Sequence, residues 1–306
     1  MKLRNLWKLF KKSFEEWYED DPFQKAAALA YYTLFSLAPL LIILIGIVGL
    51  FSGTTEAQEY IVGGLAGLLG DESAGAIREM VRNANREGSG GFATVTGIVL
   101  LLFGAGGVLG QFQYSLNQIW GVKTKSDSGW WPIIRARFFS YAMLLVIGFL
   151  LLVSLVVTTV LSAMTRYLSE LLPAAAALWP VLDILVSFMF VTVLFAMIYK
   201  VLPDVHIAWK DVWIGAAITA ILFAVGKFLI GLYLGKSGVS STYGAAGSLV
   251  TILLWVYYSA LIFFFGAEVT KVYATEYGSG LQPTEIAETT DDKQTANPSA
   301  HSASRK

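Results

Sequence analysis

The chain of 306 residues contains no cysteine, so it can form no disulfide, thiolate metal site or cysteine nucleophile. Its two histidines, His206 and His301, cannot supply a zinc-binding pair or a histidine cluster. P-loop and GxSxG motifs are also missing, and no GxGxxG is framed by a strand and a helix. We therefore expect the protein to hold no metal or other cofactor, and we expect it not to be an enzyme.

Charge is scarce as well, since only 14% of the residues are charged, against about 25% in an average soluble domain. Basic and acidic residues balance to a net charge of zero, so the composition gives no reason to expect a nucleic-acid partner. Hydrophobic residues make up 56% of the chain. Because the few charges gather in short segments, the composition favours a membrane protein.

Six stretches are long and apolar enough to cross a bilayer core, which is about 30 Å thick and needs about 20 residues of helix. They cover residues 26–51, 91–119, 138–164, 179–199, 212–234 and 247–270. The fourth stretch contains Asp183 and the fifth contains Lys227. The sequence thus predicts an all-α, polytopic fold, with a six-helix membrane domain over residues 21–276.

Lysine and arginine residues indicate the orientation, because positive residues are retained on the cytoplasmic side. If the N-terminus lies inside, the cytoplasmic flanks hold Lys2, Arg4, Lys8, Lys11, Lys12, Lys25, Lys123, Lys125, Arg135, Arg137, Lys200, Lys210 and Lys271. The outer flanks hold only Arg78, Arg82, Arg86, Arg166 and Lys236. We therefore expect a multi-pass protein of the bacterial cytoplasmic membrane, with both termini in the cytoplasm.

Three segments are predicted to lie outside the hydrocarbon. Residues 1–20 repeat apolar residues at helical spacing and should form an amphipathic helix on the inner leaflet, which we prefer to a cleaved signal peptide. Residues 55–87 should form two amphipathic helices on the outer face, with Ile77 and Val81 opposite Arg78 and Arg82. Residues 277–306 are polar and should form a disordered cytoplasmic tail.

Charged side chains at membrane depth are costly, so each is a candidate functional residue. Glu268 should lie near the inner end of the sixth span, either as part of a pathway or as a structural partner of a basic residue. Lys227 lies deep in the fifth span, where Glu268 or Asp183 could pair with it. Asp183 also fits the simpler interpretation of a solvated span end.

The second span carries a group of polar residues in its inner third. Gln111, Tyr114 and Gln118 should share one face of the helix, and Gln113 and Asn117 another. Each set could line a wet cavity or hold helices together by hydrogen bonds.

Two further features of the spans concern helix shape and packing. Pro39 is expected to kink the first span. The pairs Gly106 with Gly110 and Gly231 with Gly235 have the spacing of close helix contacts.

Several segments together resemble the YihY or BrkB virulence-factor family of bacterial inner-membrane proteins. They are AAALAYYTLFSLAP at 26–39, LNQIWG at 116–121, YGAAGS at 243–248, LWVY at 254–257 and GAE at 266–268. The resemblance covers about residues 20 to 280. It implies an integral membrane protein linked to the cell envelope, with the movement of lipids or other solutes as its expected activity.

Members of that family have also been labelled ribonuclease BN. We expect no nuclease activity, because a metal-dependent nuclease needs a hydrated cluster of histidine and carboxylate ligands. The alternative to transport is a membrane scaffold within an envelope complex. Expected partners are membrane lipids, envelope proteins or a second copy of the chain.

Overall fold

A computed structural model describes residues 3–69, 71–86, 106–125, 178–236 and 246–289. The chain divides into two compact units. Unit 1 comprises Met1–Asp20, Gln113–Ala220 and Phe264–Lys306, and unit 2 comprises Asp21–Phe112 and Ile221–Phe263. Three of the described helices contribute residues to both units: those over residues 106–119, 209–236 and 247–276.

Helices account for most of the described residues. They are α1 (Leu3–Glu19), α2 (Pro22–Ser52), α3 (Thr54–Leu69), α4 (Asp71–Arg86), α5 (residues 106–119), α6 (Leu178–Val201), α7 (Trp209–Lys236) and α8 (Gly247–Glu276). Proline at the start of α2 fits the first turn of a helix, where its missing N–H is not needed.

In unit 2, α2, α3 and α4 pack against one another. Gly53, whose φ of 90° suits a residue without a side chain, forms the turn between α2 and α3. Ala57, Val62, Ile77 and Val81 are buried. Two helices thus lie in the segment where two were predicted, while their amphipathic character and their place on the outer face stay predictions.

Four short strands lie in unit 1, in two antiparallel pairs. β1 (Val122–Thr124) pairs with β4 (Ala287–Thr289), and β2 (Val205–His206) pairs with β3 (Gln282–Pro283). The prediction of a disordered tail from residue 277 onward therefore differs from the structure over residues 277–289. The polar composition of this segment predicts disorder, because it does not reveal that strands elsewhere in the chain supply backbone hydrogen bonds. Residues 290–306 lie outside the described residues.

Three helices of the described part of the chain are long and apolar enough to cross a membrane: Ile184–Val201 within α6, Trp209–Tyr233 within α7, and α8. The predicted span at 26–51 lies within α2, which stays helical through Pro39. Most of the predicted second span and all of the third lie outside the described residues. The structure thus supports a mostly helical membrane protein, and the number of six spans stays a prediction.

Helices α7 and α8 approach closely in unit 1 through two matched Gly-xxx-Thr steps. A Cβ added at Gly215 would overlap Thr270, lying 2.7 Å from its Cβ, and one added at Gly266 would lie 2.8 Å from the Cβ of Thr219. Each threonine hydroxyl donates to the carbonyl of the glycine four residues earlier on its own helix, at 2.7 Å for Thr219 and 2.8 Å for Thr270. The two helices therefore interlock, each glycine receiving the other helix's threonine.

The glycine pairs chosen from the sequence do not include this crossing. A Cβ added at Gly231 would meet nothing within 4 Å among the described residues. Gly106 and Gly110 both lie in α5, and a Cβ added at Gly107 on the same helix would lie 3.1 Å from the ring of Tyr32.

We predict that Gly266→Ala destabilises the protein, because the new methyl group must displace Thr219 and Tyr199 in a buried crossing. Overpacking of this kind costs about 1 to 3 kcal/mol. Gly231→Ala is the matched control, since it adds the same methyl group in open space and removes a flexible residue from a helix. Thermal unfolding followed by size-exclusion chromatography in detergent measures both. Equal melting temperatures for the two variants would contradict the close approach.

Candidate functional site

The N-terminal helix α1 docks on the C-terminal third of α8. Leu9 forms a small buried core with Val269 and Val272. The ring of Phe265 stacks on Phe10 at 6.2 Å and meets Trp17 edge-on at 5.9 Å. Apolar packing between residues about 260 positions apart thus fixes one face of α1 against a helix that is apolar enough to cross a membrane.

Charged side chains continue this contact beyond the apolar core. Lys271 of α8 lies 2.9 Å from a carboxylate oxygen of Glu16 on α1 and 2.9 Å from Oε1 of Glu268 on its own helix. Farther along, Lys12 reaches Glu276 at 2.6 Å. One lysine therefore bridges a carboxylate of α1 and a carboxylate of α8.

Glu268 is the most buried member of this cluster, with no solvent-exposed surface. Its Oε1 accepts the hydrogen bond from Lys271, whereas Oε2 is buried and accepts none from the described residues. An unsatisfied buried carboxylate oxygen is expensive, because the group has lost water without replacing all of its hydrogen bonds. The position is about 12 Å from the end of α8, given a rise of 1.5 Å per residue.

The ion pairs with α8 shift the pKa values of two side chains of α1, Lys12 and Glu16. Partial burial opposes ionisation of Glu16, but the hydrogen bond and charge of Lys271 outweigh it and hold the Glu16 pKa below its usual 4.5. The hydrogen bond to Glu276 raises the pKa of Lys12 above its usual 10.5. Both groups are therefore charged at neutral pH, and both pairs hold α1 in place.

A second buried carboxylate, Asp204, lies in the turn between α6 and β2. Its oxygens accept hydrogen bonds from Asn117 at 2.7 Å and from Gln113 at 3.1 Å, and its backbone N–H donates to the side-chain oxygen of Asn117. The backbone carbonyl of Asp204 accepts a bond from the N–H of Thr284. Asp204 thereby joins α5, the turn after α6 and the segment after α8.

A third carboxylate, Asp211, is buried in the first turn of α7. It accepts a hydrogen bond from the backbone N–H of Ser279, and a Cβ at Gly278 would lie 2.5 Å from it. The chain after α8 therefore passes close to the start of α7. This close approach requires a glycine at position 278, because a larger residue would overlap Asp211.

The structure separates the candidate residues of the second span into two groups. Asn117, together with Gln113, binds Asp204 and holds segments together, as the hydrogen-bonding interpretation expects. Tyr114 and Gln118 bond to each other at 2.8 Å on an exposed face. Gln111 lies in unit 2, half-buried.

The other candidates do not gather at one place. Glu268 pairs with Lys271 of its own helix, and the Lys227 side chain is exposed on α7. The structure therefore pairs Glu268 with Lys271, and not with Lys227 as the sequence suggested. Asp183 lies in the second turn of α6, and the structure does not describe its side chain.

Sequence reasoning missed Glu16, Lys271 and Asp204, which the structure places in buried or half-buried networks. Glu16 lies in a run of acidic residues that is typical of a solvent-exposed segment. Lys271 was counted only among the basic residues that indicate the cytoplasmic side. The repeat of Gly-xxx-Thr at 215–219 and 266–270 was the one visible signal for close packing of α7 and α8.

We predict that Glu16→Gln lowers the melting temperature at pH 7 and that this loss becomes smaller as the pH falls below 4.5. A carboxylate whose pKa is depressed on folding stabilises the folded state above its ordinary pKa of 4.5, and this contribution is lost as the pH falls. Glu15→Gln is the control, because Glu15 lies next to Glu16 but forms only an exposed pair with Lys11. Thermal unfolding over a series of pH values from 7 downward through 4.5 tests this, and a loss that stays the same throughout the series would refute it.

Loss of the Asn117 amide should destabilise the protein, because it strips hydrogen bonds from a buried carboxylate. Asn117→Ala is expected to cost about 2 to 3 kcal/mol, within the range for bonds to charged groups. Gln118→Ala, one residue along the same helix, removes only an exposed bond to Tyr114 and should change stability by less than about 0.5 kcal/mol. Denaturant or thermal unfolding distinguishes them, and similar values for both would contradict the assigned role of Asn117.

Comparison with known proteins shows which family the chain resembles. Residues 13–289 match the family described as Virulence factor BrkB. The chain is 30% identical to a UPF0761 membrane protein of Vibrio campbellii over 92% of this chain and 88% of that one. It is 28% identical to a UPF0761 membrane protein of Stenotrophomonas maltophilia over 84% of this chain, spanning only 58% of that relative's length. No solved structure matches the chain. Because the match covers most of its length, the chain belongs to the BrkB family of membrane proteins.

Proposed function

We propose that the protein moves a lipid or another solute of the cell envelope across the bacterial cytoplasmic membrane, and that it is not an enzyme. The observation that carries the proposal is the Glu268 carboxylate, which is fully buried in a helix apolar enough to cross a membrane and whose Oε2 accepts no hydrogen bond from the described residues. Ionisable residues at membrane depth are expensive and are typical of substrate and ion pathways. A purely structural carboxylate would be expected to have both oxygens satisfied.

The chemistry of the cluster suits a polar or zwitterionic cargo. Oε2 of Glu268 can accept a proton or hydrogen bonds from an ammonium group, and Lys271 can bind an anionic group such as a phosphate. Lys271 already divides its contacts between Glu16 and Glu268. A headgroup or ion that competes for Lys271 would therefore alter the pairing of α1 with α8.

The orientation proposed from the basic residues is supported by the contacts of unit 1. The segments after the predicted second, fourth and sixth spans all meet there, through the pairings of β1 with β4 and of β2 with β3. The N-terminal helix reaches the same place through its contact with α8. Segments whose strands pair must lie on the same side of the membrane, which accords with an even number of crossings between them. The proposal that this side is the cytoplasm rests on the basic residues.

Transport is tested with the full chain reconstituted into vesicles of phosphatidylethanolamine and phosphatidylglycerol. A fluorescent NBD-phosphatidylethanolamine probe bleached by external dithionite reports lipid movement, and trapped pyranine reports proton movement. We expect wild-type protein to expose the inner-leaflet probe faster than protein-free vesicles do. Glu268→Gln should slow this about tenfold, the effect of roughly 1.4 kcal/mol on a barrier.

The matched control is Glu285→Gln, the same substitution at an exposed residue of unit 1. It should keep the wild-type rate. If neither probe moves faster than in protein-free vesicles, transport of lipid and of protons is contradicted and a scaffold role is favoured. If the wild-type protein moves the probe and Glu268→Gln moves it equally fast, the role of Glu268 is contradicted while transport stands.

A further inference from the structure

The helix α1 has two different apolar faces, although its sequence suggests one. Leu9, Phe10 and Trp17 turn toward α8, as described above. Trp7, Phe14 and Tyr18 lie on another side, at a spacing of seven and four residues that places them in one line along the helix. Their exposed fractions are 73%, 55% and 65%. Three large rings therefore remain exposed after α1 has docked.

Basic residues accompany this exposed aromatic line. Lys8 and Lys11 are exposed beside it. Along the sequence, the first twelve residues contain Lys2, Arg4, Lys8, Lys11 and Lys12 and no acidic residue, whereas Glu15, Glu16 and Glu19 occupy the second half of the helix. The aromatic line thus begins in a positively charged half and ends in an acidic one.

The place of α1 in the chain decides what can cover this line. Lys12 and Glu16 bind near the end of α8, a helix apolar enough to cross a membrane. Only Asp20 and Asp21 separate α1 from the long apolar helix α2. A helix tied at both points must lie at a membrane surface, where aromatic rings enter the interface and lysines meet headgroups.

We propose that the exposed line of Trp7, Phe14 and Tyr18, with Lys8 and Lys11 beside it, binds the surface of a bilayer that contains anionic lipid. The rings enter the boundary between headgroups and acyl chains, and the lysines contact phosphate groups. Each exposed lysine near such a surface is attracted by the negative surface potential of the anionic lipid. The opposite face of α1 keeps its contacts with α8, so α1 joins the lipid surface to the Glu16–Lys271–Glu268 cluster. This binding does not depend on the transport role.

The absence of cysteine makes a direct test possible, because a single introduced cysteine is labelled uniquely. Phe14→Cys and, as the matched control on the adjacent position, Glu15→Cys each receive a nitroxide in the full chain. Both proteins are placed in nanodiscs of phosphatidylcholine, with or without phosphatidylglycerol. Power-saturation EPR then compares accessibility to oxygen, which concentrates in lipid, with accessibility to a nickel chelate, which stays in water.

We expect the label at position 14 to be several-fold more accessible to oxygen than the label at 15 when phosphatidylglycerol is present. Removing that lipid, or introducing Lys8→Gln with Lys11→Gln, should move the label at 14 toward water. Equal exposure of both labels to the nickel chelate would overturn the proposal. So would a depth that does not change with lipid charge, or a label at 14 shielded from both reagents, which would indicate a protein partner or a second copy.

Discussion

Burying a carboxylate requires donors to replace water, and three buried carboxylates determine which segments of unit 1 meet. Glu268 forms an ion pair with Lys271, and Lys271 also pairs with Glu16 of α1. Asp204 accepts hydrogen bonds from the side-chain amides of Gln113 and Asn117 on α5, and Asp211 accepts one from the backbone N–H of Ser279. Removing one donor leaves an uncompensated charge, which costs more than the bond itself. The joined ends of the membrane helices follow from this requirement, since apolar packing alone has no direction that would choose these partners.

The three carboxylates differ in how completely they are satisfied. Asp204 receives two amide donors, and its backbone N–H and carbonyl are also bonded, which is typical of a structural clamp. Glu268 receives one bond, from Lys271, and its Oε2 accepts none from a described residue, although the carboxyl group of Glu16 lies within hydrogen-bonding reach of the Glu268 carboxyl group. A clamp gains nothing from a vacant oxygen, whereas a group that takes up and releases a proton or a ligand needs one. This difference separates Glu268 from Asp204 as the candidate functional residue.

Much of the architecture follows from sequence patterns that act over short distances. Helical spacing identifies α1 and the pair α3 and α4, and apolar length identifies the spans within α6, α7 and α8. The candidate site was harder to predict, because Glu16 and Lys271 are about 255 positions apart and nothing local marks them as partners. Residues 277–289 were predicted to be disordered, but they include two short strands. Strands of two or three residues leave no pattern in their own sequence, because partners elsewhere in the chain order them. The amide cluster of α5 was recognised, but its acceptor Asp204 lies in a turn that no pattern marks.

The position of α1 connects these observations into one mechanism. Its inner face packs on α8 through Leu9 and through the pair of Glu16 with Lys271, so a displacement of α1 changes the charge that faces Glu268. If Glu16 withdraws, Lys271 keeps only Glu268 as a partner in this cluster, and the attraction between them strengthens. If Lys271 instead follows Glu16, Glu268 is left as a buried carboxylate that must take up a proton or another cation. The outer face of α1 carries the aromatic residues and lysines that a lipid surface would attract. If this face binds lipid as proposed, α1 connects the lipid surface to Lys271 and thereby to the residue proposed to act in transport.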